Sequence, residues 1–202
     1  MRLSHLFICS LLAGTTLFSC KNDTKNTDAA DNTQIADTTV VRNVDESTEE
    51  QKAIANSVLA KLMTTPETLS FTRYLISANL TDLISKSEGP YTIIAPSNEA
   101  FDKLSKPALD SLVSQNSTEK LSVLLKSHIV EGDFSSASLL QSVKKTGNYK
   151  VTTLSGTSLT FFMEGSDILL KDDTGAVGKM GKSDIISANG QMHIIDAVLG
   201  NF

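Results

Sequence analysis

Apolar positions along the chain fall into three regimes. Residues 3–18 are mostly apolar, with Leu6, Phe7, Ile8, Leu11, Leu12 and Leu17 among them; residues 21–50 hold few apolar side chains; after that, apolar residues recur with a regular period. Ser47-Thr48-Glu49-Glu50 offers a capping box, and Ile54, Val58, Leu59 and Leu62 come after it at helical spacing, which predicts a helix. Thr65-Pro66-Glu67 starts a second, with Leu69, Leu75 and Ile76 to bury. A short apolar turn over residues 80–84 precedes Gly89-Pro90, and Tyr91-Thr92-Ile93-Ile94-Ala95 reads as a strand stopped by Pro96. Ser97 is placed to cap a helix over 98–104, and further helices are expected over 107–113 and 119–128, the latter aligning Leu121, Leu124, Leu125 and His128 on one face.

Beyond Gly132 the period changes. One helical turn fits residues 135–140, and then alternation of period two marks strands over 149–154, 158–163, 168–171, 183–187 and 192–199. Gly156, Gly165-Ser166 and Asp172-Asp173-Thr174-Gly175 supply the turns between them. Helices followed by an antiparallel half give an α+β fold class in a single domain, 51–202.

The two earlier regimes are not part of that domain. Residues 1–20 read as a signal peptide, since the apolar block is shorter than the ~20 residues needed to span a bilayer. It ends Leu17-Phe18-Ser19-Cys20 against polar Lys21-Asn22-Asp23, an edge that resembles a bacterial lipoprotein box, although Phe18 stands where a smaller residue is usual. The resemblance implies lipid attachment at Cys20, export, and anchoring in the cell envelope, with the outer membrane favoured over the inner; several acyl chains on one residue anchor stably. Residues 21–50 read as a flexible acidic tether, with three basic residues against eight acidic ones, so the folded part is close to neutral. Within it, Asp37-Thr38-Thr39 resembles a short O-glycan acceptor.

Composition narrows the chemistry. A net charge of −5, concentrated in the tether, argues against nucleic acid as a partner. Both cysteines, Cys9 and Cys20, precede the domain, which therefore has no disulfide or thiol chemistry. His128 and His193 are the only histidines after the leader; a pairing of His193 with Asp196 would put the two on opposite faces of a strand, so no metal and no cofactor is expected. Ala176-Val-Gly-Lys-Met-Gly181-Lys182-Ser183 fits a relaxed phosphate-loop pattern, but residues 184–187 read as a strand rather than a helix, which excludes a nucleotide. No Gly-x-Ser-x-Gly elbow and no marked carboxylate pair points to hydrolysis.

Three segments carry a family resemblance. Residues 91–104 (YTIIAPSNEAFDKL) resemble the first signature box of the fasciclin domain, residues 190–199 (GQMHIIDAVL) resemble its closing box, and residues 124–132 (LLKSHIVEG) resemble the central histidine segment. Together they cover about residues 52–202. The resemblance implies helices packed on a wedge of twisted β-sheets, no enzymatic activity, and a role in adhesion or in binding extracellular protein or carbohydrate; the cysteine-free, nearly neutral domain is expected to be a monomer. Within the boxes Pro96, Ser97, Asn98, Phe101, His128, His193 and Asp196 are read as structural. Phe101 and Ile195 are expected in the core.

Two departures bear on the partner. Ser127 stands where animal members have an aromatic residue before the central histidine, and the animal adhesion motif survives here only as Asp184 and Ile185. Lys182, Asp184 and Ile185 are the candidate partner contacts, in a loop whose truncations are expected to cost less than about 0.5 kcal/mol. The alternative reading is a binder of a small apolar ligand such as a pigment or lipid, in a crevice near Phe161, Phe162 and Met163.

Overall fold

The computed structural model describes residues 44–86, 89–114 and 118–200, so Cys20 and the tether up to residue 43 lie outside the described residues. Its helices are α1 (Val44–Ala55), α2 (Val58–Thr64), α3 (Leu69–Ser77), α4 (Thr81–Ser85), α5 (Asn98–Asp102), α6 (Lys106–Val113), α7 (Thr118–Lys126) and α8 (Ser136–Thr146), with a 3-10 turn at Pro66–Thr68. Helix α1 begins inside the stretch read as tether. The helix expected through residue 62 is broken at Asn56-Ser57, because the Ser57 hydroxyl accepts the Ala60 N–H and starts α2 afresh. Helix α8 runs to Thr146, well beyond the single turn expected, and ends at Gly147 with φ +80°.

The strands are β1 (Tyr91–Pro96), β2 (Ile129–Glu131), β3 (Asn148–Thr152), β4 (Ser158–Glu164), β5 (Asp167–Lys171), β6 (Val177–Lys179), β7 (Ile185–Ser187) and β8 (Gly190–Ile195). They form two four-stranded sheets, ordered β2-β1-β8-β7 and β3-β4-β5-β6. The second is an antiparallel meander. In the first, β1 and β8 run parallel in register Tyr91↔Gly190 to Pro96↔Ile195, joining chain segments about a hundred residues apart. This is the α+β, single-domain architecture expected.

The β1–β8 pair is central in a second sense. One of its faces, with Ile93, Ala95 and Met192, packs on Leu62, Phe71, Leu75, Phe101, Leu124 and Leu125 from the helices. The opposite face, with Ile94 and Ile195, packs on Leu139 and Val143 of α8 and on Val151, Leu159, Phe161 and Leu170 of the meander. Burial on both faces explains the consecutive apolar residues Ile93-Ile94-Ala95 and Ile194-Ile195 in these strands. Gly190 is fixed by the same pairing: its φ is +151°, and a Cβ there would lie 1.9 Å from the Tyr91 carbonyl oxygen.

Some expectations change. Leu69 and Ile76, read as buried, are 39% and 50% exposed, because α3 turns Phe71, Thr72 and Leu75 inward instead. His128 lies beyond the end of α7, in the turn that enters β2. Val198 and Leu199 are buried core residues but come after the end of β8. Phe161 is buried in the core, leaving Phe162 and Met163 partly exposed.

Candidate functional site

The first box and the closing box meet at one surface groove. Ser97 accepts the Ala100 N–H at 3.1 Å and so starts α5, while its own N–H donates to the Ile195 carbonyl at 2.9 Å. Asn98 spans the gap to the 3-10 turn: its Oδ1 accepts the Ser70 N–H at 2.9 Å, and its Nδ2 donates to the Pro66 carbonyl at 2.8 Å. Pro66, Glu67, Ser97, Asn98, Lys182 and Ile194 enclose a groove of about 420 Å³. Ile194 donates its N–H to the Lys182 carbonyl, which holds the Lys182 loop beside β8. Across the rim Lys182 Nζ lies 3.4 Å from Glu67 Oε1, both side chains about half exposed. The Glu67 carboxyl is held below its ordinary range, first by hydrogen bonding to its own backbone and then by Lys182, with burial opposing. Glu67 has no sequence signal, since it stands 115 residues from Lys182.

The three candidate contact residues divide. Lys182 faces the groove. Ile185 is half-buried and packs on the helical core. Asp184 is tied to the N-terminus of α8: its Oδ1 accepts the Ser136 N–H at 2.8 Å, and its Oδ2 accepts the Ser136 hydroxyl. Its backbone has φ +57°, and its N–H donates to His193 Nδ1 at 3.1 Å. Burial pushes the Asp184 carboxyl up, but the two Ser136 hydrogen bonds and His193 outweigh it, and the net shift is downward. Asp184 is therefore a structural clasp, and the small stability cost expected of its truncation is revised upward.

Both histidines are buried and neutral. His193 is inaccessible; Nδ1 accepts from Asp184 N, so the proton sits on Nε2, which donates to the Phe134 carbonyl at 2.7 Å. His128 has the other tautomer: Nε2 accepts the Leu199 N–H at 3.0 Å, and Nδ1–H donates to the Leu124 carbonyl at 2.9 Å. Burial pushes the His128 imidazole down to about 4, against the opposing pull of the Leu124 carbonyl and Asp172. Burial also lowers His193. Asp196, beyond β8, accepts the Lys179 N–H at 2.7 Å and lies on the surface, away from the buried His193 ring. Among the described residues no three His, Cys, Asp or Glu side chains cluster as a metal site would require, and no helix is long and apolar enough to cross a membrane. The segment resembling a phosphate loop forms β6 and leads into β7, so it presents no helix N-terminus.

A second, smaller recess of about 150 Å³ lies beside His128, lined by Val123, Leu124, Ser127, Thr157, Asp172 and Gly200 among others. Ser127 is buried there and donates to the Leu124 carbonyl at 2.6 Å. Burial raises the Asp172 carboxyl, but the Thr174 hydroxyl and the N–H groups of Gly200, Ala176 and Thr174 hold it below its usual value. Asp172 thus serves to fasten the C-terminal segment after β8.

Comparisons with known proteins agree with this architecture. A fasciclin domain model matches residues 66–201, more than half of the chain. Protein sll1483 of Synechocystis sp. is 27% identical over 160 residues, covering 76% of this chain and 82% of that protein. Human periostin is 28% identical over 130 residues, and immunogenic protein MPB70 of Mycobacterium bovis is 30% identical over 126. The matches cover 64% and 60% of this chain, but only 14% of periostin and 54% of MPB70. A solved FAS1 domain pair from the insect cell adhesion molecule fasciclin I aligns with a TM-score of 0.53 at 25% identity, covering 67% of this chain and 45% of that one. Fasciclin domains are in general non-enzymatic modules of adhesion and binding, found in extracellular and secreted proteins. With its three boxes folded into one β1–β8 core, this chain belongs to the fasciclin domain family.

Proposed function

We propose that the protein is an exported lipoprotein, acylated at Cys20, whose tethered domain binds a cell-surface protein or carbohydrate and so serves adhesion at the envelope. One observation supports the binding reading above others. The groove between the two boxes has mixed walls: a lysine and a carboxylate face each other on its rim, and Pro66 and Ile194 give it apolar surface. A ligand with alternating polar and apolar groups can exchange partners with an exposed ion pair at little cost, because such a pair is worth only about 0–1 kcal/mol. A flexible coil over the roughly 20 residues before α1 would hold the domain about 25 Å from the bilayer, within reach of surface polymers.

Affinity capture with the full chain, against cell-surface extract and a glycan array in parallel, tests the reading. The wild type is expected to retain a partner that a Lys182→Glu/Glu67→Lys double variant retains weakly or not at all. Equal retention by the two, with both folded, would remove the groove from the binding surface.

A further inference from the structure

Helix α7, the turn between β3 and β4 and the segment after β8 meet at the smaller recess, of about 150 Å³. Its lining divides by chemistry. The apolar part comes from α7, where Leu124 is buried and Val123 stands 55% exposed at the mouth, because the helix turns Leu121, Leu124 and Leu125 inward. Gly200 adds nothing to fill the space: at its φ of +112° a Cβ would lie 2.6 Å from Leu124 Cδ1 and 3.5 Å from Ser127 Oγ. The rest of the lining is polar.

Among the described residues that line the recess, no side chain has a hydrogen to spare. The Ser127 hydroxyl donates to the Leu124 carbonyl at 2.6 Å, and the Thr174 hydroxyl to Asp172 Oδ1 at 2.7 Å. Ser155 and Thr157 form a closed trio with Thr153, their oxygens 2.8, 2.8 and 2.9 Å apart. Three hydroxyls carry three hydrogens, and three mutual bonds use them all. The carboxylates of Asp172 and Asp173 only accept, and Asp172 is already met by the N–H groups of Thr174, Ala176 and Gly200. Ser155 and Thr157 each accept one bond within the trio and keep a lone pair for a second. The polar lining therefore asks for a donor.

Size and polarity together select the ligand. An apolar cavity of about 150 Å³ takes up one benzene ring. A rigid ring also loses little conformational freedom when it binds. A phenolic O–H supplies the missing donor and, with a pKa of about 10, stays neutral at pH 7, so no charge has to leave water.

We infer that this recess binds a free monocyclic phenol, its ring against Val123 and Leu124 and its O–H donating to Ser155 or Thr157. The site shares no residue with the groove at Lys182 and does not rest on the function proposed for it.

The test is a titration of the full chain in detergent micelles, with free ligand fixed by dialysis and the methyl groups of Val123, Leu124 and Thr157 followed by proton NMR. With p-cresol these methyls are expected to shift and saturate in the millimolar range, as suits so small a ligand. The methyl ether 4-methylanisole has the same ring and no donor, and is expected to bind about tenfold more weakly. N-acetyltyrosinamide is expected to bind more weakly than p-cresol, since the recess holds a ring but not a peptide group. Thr157→Val keeps the shape and removes one acceptor; it is expected to weaken p-cresol about fivefold without weakening the ether. Val123→Asp, at the exposed mouth, is expected to weaken both roughly fivefold and carries the test should melts show Thr157→Val unfolded. Ile186→Ser, on the exposed β7 edge of the other sheet, is expected to change nothing. The inference is overturned if the shifts do not saturate, if the ether binds as well as the phenol, or if N-acetyltyrosinamide binds more tightly than p-cresol. It is equally overturned by binding indifferent to Val123→Asp or lost in a folded Ile186→Ser.

Discussion

Acid should unfold this domain through a histidine that does no chemistry. His128 is 1% exposed, and both ring nitrogens are used in its neutral form, so protonation would put a second N–H at Nε2 against the Leu199 N–H. Its folded pKa of about 4 lies below the ordinary 6.5. Between those values the unfolded chain holds the proton and the folded chain does not. Stability is therefore full above pH 6.5 and falls as the pH drops, by about 1.4 kcal/mol per pH unit for one proton. From pH 7 to pH 4.5 the loss amounts to about 2.4 kcal/mol, a large part of the 5–15 kcal/mol typical of a domain. His193, also lowered by burial, acts in the same direction. The lowered carboxylates Asp172, Asp184 and Glu67 act in the same direction but only from about pH 5 downward, so they add to the slope at the acid end of this window and leave its upper part to the histidines. Urea denaturation at half-unit steps from pH 4.5 to 7 measures the slope, and proton NMR of the His128 ring tracks its titration directly. His128→Gln, which keeps one donor and one acceptor, is expected to lower stability at pH 7 yet flatten the slope by one proton. An unchanged slope in that variant, or a His128 ring that titrates near 6.5 in the folded protein, would refute the reasoning.

Other substitutions test the division between core and surface. Phe101→Ala removes a ring that is 4% exposed and packed on Tyr74 at 4.9 Å, and is expected to cost about 3–5 kcal/mol in a urea melt; Ile195→Ala, about 2–5 kcal/mol. Asp184→Ala loses two hydrogen bonds from Ser136 and puts a Cβ-bearing residue without a local acceptor at φ +57°, for an expected cost of about 2 kcal/mol. Asp184→Asn should recover most of that loss, since its Oδ1 can still accept the Ser136 N–H while its Nδ2 donates to the Ser136 hydroxyl oxygen, and asparagine tolerates the left-handed backbone. Lys182→Gln breaks an exposed pair and should change stability by less than about 0.5 kcal/mol. Cys20→Ala is expected to abolish labelling by a fatty-acid analogue and to release the protein from membranes; unchanged partitioning would remove the lipid anchor.

The elements legible in the chain were those set by local signals. Ser97 before a helix, Pro96 after an apolar run and the glycine-bounded alternation after residue 147 each act within a few residues, so β1, α5 and the meander strands β3, β4 and β5 could be read in order. The doubly buried β1 stood out by its consecutive apolar residues Ile93-Ile94-Ala95, and β8 carries Ile194-Ile195, because neither strand has a solvent face. Short elements escaped: β2 and β6 have three residues each, too few for a period to show, and exist because β1 and β5 offer them a partner edge. The roles of the polar side chains came from tertiary packing. Asp184 looks like a free loop carboxylate until α8, 48 residues away, puts Ser136 against it. Lys182 finds Glu67 across 115 residues, and His128 finds the Leu199 N–H across 71. Lys150 and Lys171 come into one cross-strand row only through strand register. Hydrogen bonds and charge pairs between distant segments arise from how the sheets and helices pack, and no period in the chain encodes that packing.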